Sequence, residues 1–203
     1  MTDLTGRRIG RAARRQVIEE AATRLFAERG YSSTTVEDIA RAAGVTKPIL
    51  YRHYESKQEL CVALLERYRD ELVAAPLSVF KPAAPDWRVQ LAAMGDAWLG
   101  YIEQHPEGAR LLLTPICGDP EVERVQHELH SRQRETQTAL LREFAPDVEG
   151  VEAEALGEAL RAAFVAVALW RLDNPDQPRE SALRALLRVP EGILMTLSGG
   201  DRS

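Results

Sequence analysis

Three absences narrow the sequence before any motif is read. Cysteine is nearly missing: two residues, Cys61 and Cys117, in 203, with neither CxxC nor zinc-finger spacing. One pair in a chain of this size makes no disulfide framework, and the reading is a reducing cytoplasm with two buried thiols. Long apolar runs are also missing. The longest, Ala162 to Trp170, is nine residues, against the ~20 that cross a bilayer, so no membrane partner is expected, and the polar, basic N-terminus lacks the apolar stretch of a secretory signal. Strand signals are the third absence. No stretch alternates apolar and polar for long, and no Asn-Gly or Asp-Gly hairpin dipeptide occurs. An all-α protein is expected.

The net charge of −5 conceals an asymmetry. Residues 1–57 carry 11 Lys+Arg against 7 Asp+Glu, a balance of +4, while the remaining 146 carry 15 against 24, a balance of −9. A basic end on an acidic body fits a nucleic-acid-facing module. Arg7, Arg8, Arg11, Arg14 and Arg15 crowd the start, as a basic arm lying in a minor groove or as a solvated tail.

Apolar periodicity predicts a first helix from about Arg14 to Arg29, stopped by Gly30 at a position that favours left-handed backbone. Thr35 and Asp38 form a capping box for a short second helix, which Gly44 ends. Thr46 caps a third, with Pro48 in its first turn, running from Lys47 to about His53. Ser56 and Glu59 open a long fourth helix to about Ala75, which Pro76 breaks. Pro76–Pro85 is expected to be the loop joining the two parts. Further helices are expected near 86–104, 106–113, 119–144, 152–173 and 179–197, the last kinked or split by Pro190.

Thr35 to His53 has the make-up of a helix-turn-helix. Ala40 is small enough for two helices to cross closely, Gly44 suits the tight turn, and Ile39, Val45 and Leu50 lock the pair. Lys47, Pro48, Ile49, Tyr51, Arg52 and His53 are left outward, a mixture of cations, phenol and apolar surface suited to base edges in a major groove. Thr35, Thr46 and Lys57 are candidates for backbone phosphates. The competing reading is a three-helix packing motif with a solvated third helix.

Residues 14–60 bring a resemblance. Phe26-Ala27-Glu28-Arg29-Gly30-Tyr31, Thr34 through Ala40, Ala43-Gly44-Val45-Thr46-Lys47, Leu50 through Tyr54, and Ser56-Lys57 look like the N-terminal domain of the TetR family of repressors. The resemblance implies an N-terminal arm and helix-turn-helix domain (1–56) with three DNA-binding helices, and a larger C-terminal domain (57–203) that dimerises and usually binds an inducer. By resemblance, Lys47, Pro48, Ile49, Tyr51 and Arg52 fall where members contact bases or phosphates, and Tyr51, His53 and Lys57 commonly touch phosphate. Pro48-Ile49 replaces the frequent small pair, so base preference does not transfer.

The body carries no further motif. The near-continuous apolar helix around 162–170, with the last helix, offers a dimer interface through Phe164, Ala168, Leu183, Leu187 and Leu194, or the buried centre of a monomer. Met94, Trp98, Tyr101, Leu112, Leu129, Gln133 and Phe164 are pocket candidates with few formal charges, suggesting a small, largely apolar effector, although core helices show the same spacing. His127 and His130 are spaced for a metal but flanked by charges that read as a solvated face. No catalytic motif and no cofactor motif appears, and no enzyme is expected. The reading is a homodimeric, ligand-responsive repressor on a palindromic operator in double-stranded DNA. The alternative is a constitutive DNA-binding or protein-interaction module without small-molecule input.

Overall fold

The computed structural model describes residues 10–81, 86–144 and 148–199. These residues form nine helices and no strand: α1 (Arg11–Arg29), α2 (Val36–Ala42), α3 (Lys47–Tyr51), α4 (Lys57–Leu77), α5 (Trp87–Gln104), α6 (Pro106–Leu113), α7 (Pro120–Phe144), α8 (Gly150–Asp173) and α9 (Arg179–Gly199). The protein is all-α, as its sequence implies.

Local chemistry accounts for most boundaries. At α2 the capping box closes both ways, Asp38 N–H donating to Thr35 Oγ at 3.1 Å and Thr35 N–H to the Asp38 carboxylate at 3.2 Å. Ser56 Oγ accepts from Glu59 N–H at 3.0 Å to start α4. Gly30 ends α1 at φ 81°, and Gly44 makes the α2–α3 turn at φ 63°, both in the range glycine reaches without strain.

Several expectations need correction. α1 begins at Arg11, three residues early, because Gly10 supplies a carbonyl for Arg14 N–H (3.0 Å). α3 ends at Tyr51, and His53 instead donates to Leu50 O in a closing turn. Pro76 lies inside the last turn of α4 and does not stop the helix at Ala75; α4 ends one residue after it, at Leu77. Residues 82–85 and Pro146 lie outside the described residues. α9 runs unbroken through a buried Pro190. Cys61 is buried, but Cys117 is exposed, in the loop between α6 and α7.

Packing joins the parts. α7 lies along α8, α4 along α5, and α1 against α6. Glycines permit the closest approaches. A Cβ at Gly108 of α6 would fall inside the Tyr68 ring of α4, and one at Gly157 of α8 would overlap Thr138 of α7. At Gly95 of α5 it would meet Leu183, Leu186 and Leu187 of α9 at 3.3–3.4 Å. One hydrophobic cluster runs without a break from Ile18, Phe26, Ile39 and Leu50 through Leu60, Leu64 and Leu65 to Trp98, Ile102, Leu112, Leu129 and Ala168. It crosses the expected boundary between residues 56 and 57. A smaller cluster of Leu141, Val148, Ala153 and Leu160 sits between α7, α8 and α9.

Candidate nucleic-acid interface

α2, the Gly44 turn and α3 are held from behind. Ile39 and Leu50 are fully buried, Ala40 nearly so, and Val45 N–H donates to Ala40 O at 2.9 Å across the turn. With Leu50 turned in, the helical period leaves Thr46, Lys47, Pro48, Tyr51 and Arg52 exposed and Ile49 half-buried. Tyr51 is 46% exposed, a large aromatic surface for a five-residue helix to leave in water. Lys47 pairs with Glu37 of α2, bracing α3 against its neighbour. Glu37 thereby sits below its ordinary range, held by that hydrogen bond.

The remaining predicted contacts are placed differently from one another. Thr46 makes no side-chain cap bond at the start of α3. Thr35 is exposed, but its hydroxyl is engaged with Asp38 at 2.6 Å. His53 is half-buried, and its imidazole is pushed down by burial and by Arg11, Arg14 and Arg15 of α1, which favours the neutral ring near pH 7. Arg7 and Arg8 lie outside the described residues, whereas Arg11 and Arg14 form the first turn of α1 beside His53.

Lys57 departs most from expectation. Its ammonium donates to Tyr31 O (2.9 Å) and Thr34 O (3.0 Å) and lies 4.0 Å from the centre of the Tyr31 ring. Two of its three donors are spent inside the protein, so it ties α4 to the α1–α2 segment. Nearby, Tyr31 donates to the Asp119 carboxylate at 2.6 Å and Ser32 to Cys117 O, fastening this segment to the α6–α7 loop. Burial first, then the Asp119 bond, pushes the Tyr31 phenol up, and that bond holds Asp119 below its usual range.

In the body, Trp98, Leu112 and Leu129 are buried, while Met94, Tyr101, Gln133 and Phe164 are half-buried. The Trp98 and Phe164 rings lie 5.8 Å apart at 44°, packed on each other. A groove of about 240 Å³ lies between the α1–α2 turn and the α6–α7 loop, lined by Phe26, Tyr31, Ser33, Arg110, Ile116 and Cys117 among others, and includes none of the predicted pocket residues. Nor is Tyr101 in uncharged surroundings. Its hydroxyl donates to Glu71 at 2.8 Å, because α4 brings charges that the sequence of α5 does not reveal. His130 is half-buried, its Nε2 3.4 Å from Leu112 O, and among the described residues no three potential metal ligands cluster.

Of the predicted dimer residues, Ala168 is fully buried in its own chain, which corrects its assignment to a partner. Leu183 and Leu187 are half-buried and pack toward Gly95 of α5. The Leu194 side chain lies outside the described residues. The exposed face of α8 instead carries Ala162, Ala166 and Trp170, the last 43% exposed.

Sequence reasoning missed the group around Glu19. This α1 carboxylate is buried, yet it meets Arg15 (2.7 Å), Tyr54 and Arg67. Its partners lie up to 48 positions away, and the one signal was an acid inside the apolar stripe of α1.

Two short helices around a glycine turn, the second presenting cations, a phenol and a proline from a rigid back, make a helix-turn-helix. Residues 18–64 match the pattern of the bacterial regulatory proteins of the tetR family. Residue matching finds the HTH-type transcriptional activator FasR of Mycolicibacterium smegmatis, 38% identical over 107 residues, covering 53% of this chain and 48% of FasR. It also finds the HTH-type transcriptional repressor KstR2 of Rhodococcus jostii, 43% identical over 63 residues, 31% of each chain. The match thus spans about half or less of these relatives. Among solved structures, a TetR-like transcriptional regulator from Rhodococcus sp. RHA1 superposes with a TM-score of 0.77 at 28% identity, over 93% of this chain and 99% of that one. Residues 18–64 thus resemble the tetR-type helix-turn-helix, and the chain as a whole shares the fold of that TetR-like regulator.

Proposed function

We propose that the protein binds a palindromic operator in double-stranded DNA as a homodimer and represses transcription until a small, largely apolar effector enters its body. The observation that carries the reading is α3 itself. Leu50 is wholly buried while Thr46, Lys47, Pro48, Tyr51 and Arg52 stand exposed on one short helix. In a major groove, Lys47 and Arg52 supply donors to base edges or phosphates, Tyr51 supplies a hydroxyl to phosphate, and Pro48 and Ile49 supply apolar contact to thymine methyls. Thr46 is free to bond phosphate. Thr35, Lys57 and His53 contribute less, the first two through their internal bonds and the third through its neutral ring.

The dimer is built on the outer faces of α8 and α9, where Ala162 and Ala166 allow close helix approach and Trp170 supplies buried area. Two copies would then set their α3 helices one turn of DNA apart, ~34–36 Å. The effector would part the Trp98–Phe164 pair and reach Leu112 and Leu129. A second reading, activation, is favoured by the match to the activator FasR, which is longer than the match to KstR2.

Selection of bound sequences from random duplex DNA, followed by binding titrations at two salt concentrations, tests the proposal. A palindrome bound with affinity that falls steeply with salt is expected. A pool that never enriches overturns it. A reporter driven from the selected operator then separates repression from activation.

A further inference from the structure

We propose that a chain of hydrogen bonds closed by one looser ion pair, Tyr54–Glu19–Arg67–Glu71–Tyr101, couples the packing of α5 to the seating of the reading helix, with Arg67 as its movable member. The inference uses the α3 reading above only in naming what the coupling serves.

The chain begins at α3. Tyr54 is 3% exposed and its N–H donates to Leu50 O at 3.1 Å, so it is fixed to the last turn of α3. Its hydroxyl donates to Glu19 of α1, and Arg15 Nε binds both Glu19 (2.7 Å) and the Tyr54 oxygen (3.1 Å). The other Glu19 oxygen takes Arg67 of α4. One turn along α4, Glu71 lies 3.8 Å from Arg67 Nε and receives the Tyr101 hydroxyl of α5 at 2.8 Å.

The two acids on Arg67 are unequal. The Glu19 side chain is 10% exposed and depends on its donors, whereas Glu71 is 43% exposed and holds Arg67 loosely while occupied by Tyr101. A buried carboxylate that loses a donor must draw on those remaining, here Arg15 and Tyr54. If α5 shifts so that Tyr101 leaves Glu71, that acid gains charge density and pulls on Arg67. Glu19 then relies on Tyr54, and the last turn of α3 is reseated. Arg67 between two acids is the two-position element such coupling requires.

Opposite substitutions at the body end provide the test. Tyr101→Phe keeps the ring and frees Glu71 to compete, so amide exchange over residues 47–54 should quicken several-fold. Glu71→Gln leaves Arg67 wholly to Glu19, so the same amides should slow. Loosened packing alone would speed exchange in both variants, and that result overturns the proposal. A Tyr54→Phe/Tyr101→Phe cycle should give an unfolding equilibrium constant at least about twofold from the product of the single effects, and strict additivity overturns the coupling. Neither measurement uses DNA. Opposed exchange shifts in a protein that selects no duplex would uphold the relay and refute the proposed function.

Discussion

At Lys57 the ammonium donates to two carbonyls and covers a phenol, so its removal unties the end of α1 from the start of α4. Charged hydrogen bonds of this kind contribute about 1.5–3 kcal/mol each, and partial exposure lowers that figure here. Lys57→Met should therefore lower the melting temperature by several degrees, read by circular dichroism. Operator affinity, corrected for the unfolded fraction, should fall far less than with Tyr51→Ala. Glu19 sets a pH limit. Burial raises its carboxyl, but Tyr54, Arg15 and Arg67 outweigh that, and the net pKa lies below the ordinary 4.5. A depressed folded-state pKa contributes stability above the unfolded value that is lost as pH falls through the folded one. The Glu19 contribution to stability should thus hold from pH 7 to 5 and be lost below about pH 4, and Glu19→Gln should remove that part of the decline in acid titrations of unfolding. Neither role was visible beforehand. The motif resemblance pointed Lys57 toward phosphate, and Glu19 finds its partners 35 and 48 positions away.

Among the helices, the crossing of α6 over α4 turns on one missing atom. A Cβ on Gly108 would occupy the ring of Tyr68, which is 8% exposed and cannot swing clear. Gly108→Ala should destabilise by about 1–3 kcal/mol through overpacking, measured by urea unfolding. In a Tyr68→Leu background, with the ring gone, the same change should cost markedly less. The element scale also separates what the sequence reveals from what it hides. Caps and breakers act within a few residues, so the nine helices were legible from Thr35, Asp38, Ser56, Gly30 and the His105-Pro106 junction. Rotation about a helix axis is legible only when one side is polar. α3 has such a contrast, and Leu50 was read as inward. α8 is apolar nearly all round, so nothing distinguished the buried Ala168 from the exposed Ala166 and Trp170. The residues expected to line a pocket suffer likewise, since the charge on Tyr101 comes from α4.

For the whole molecule, assembly should depend on that outer face of α8. Trp170→Glu places a charge where a partner would desolvate it, and sedimentation equilibrium should show the distribution moving to monomer. Operator affinity should drop with it, while the helical content stays. The unbroken hydrophobic cluster from Ile18 to Ala168 has another outcome. Phe26, Leu60 and Leu64 are buried in that one cluster, and α1 rests on α4 and α6. A fragment ending near residue 56 would lose that cover and should remain largely unstructured, as its circular dichroism would show. In the full chain, head and body should melt in a single transition, and a protease should find no early cut between them. A reading head of this kind cannot be transplanted alone: a chimaera would have to carry α4 and α6 with it to keep its shape.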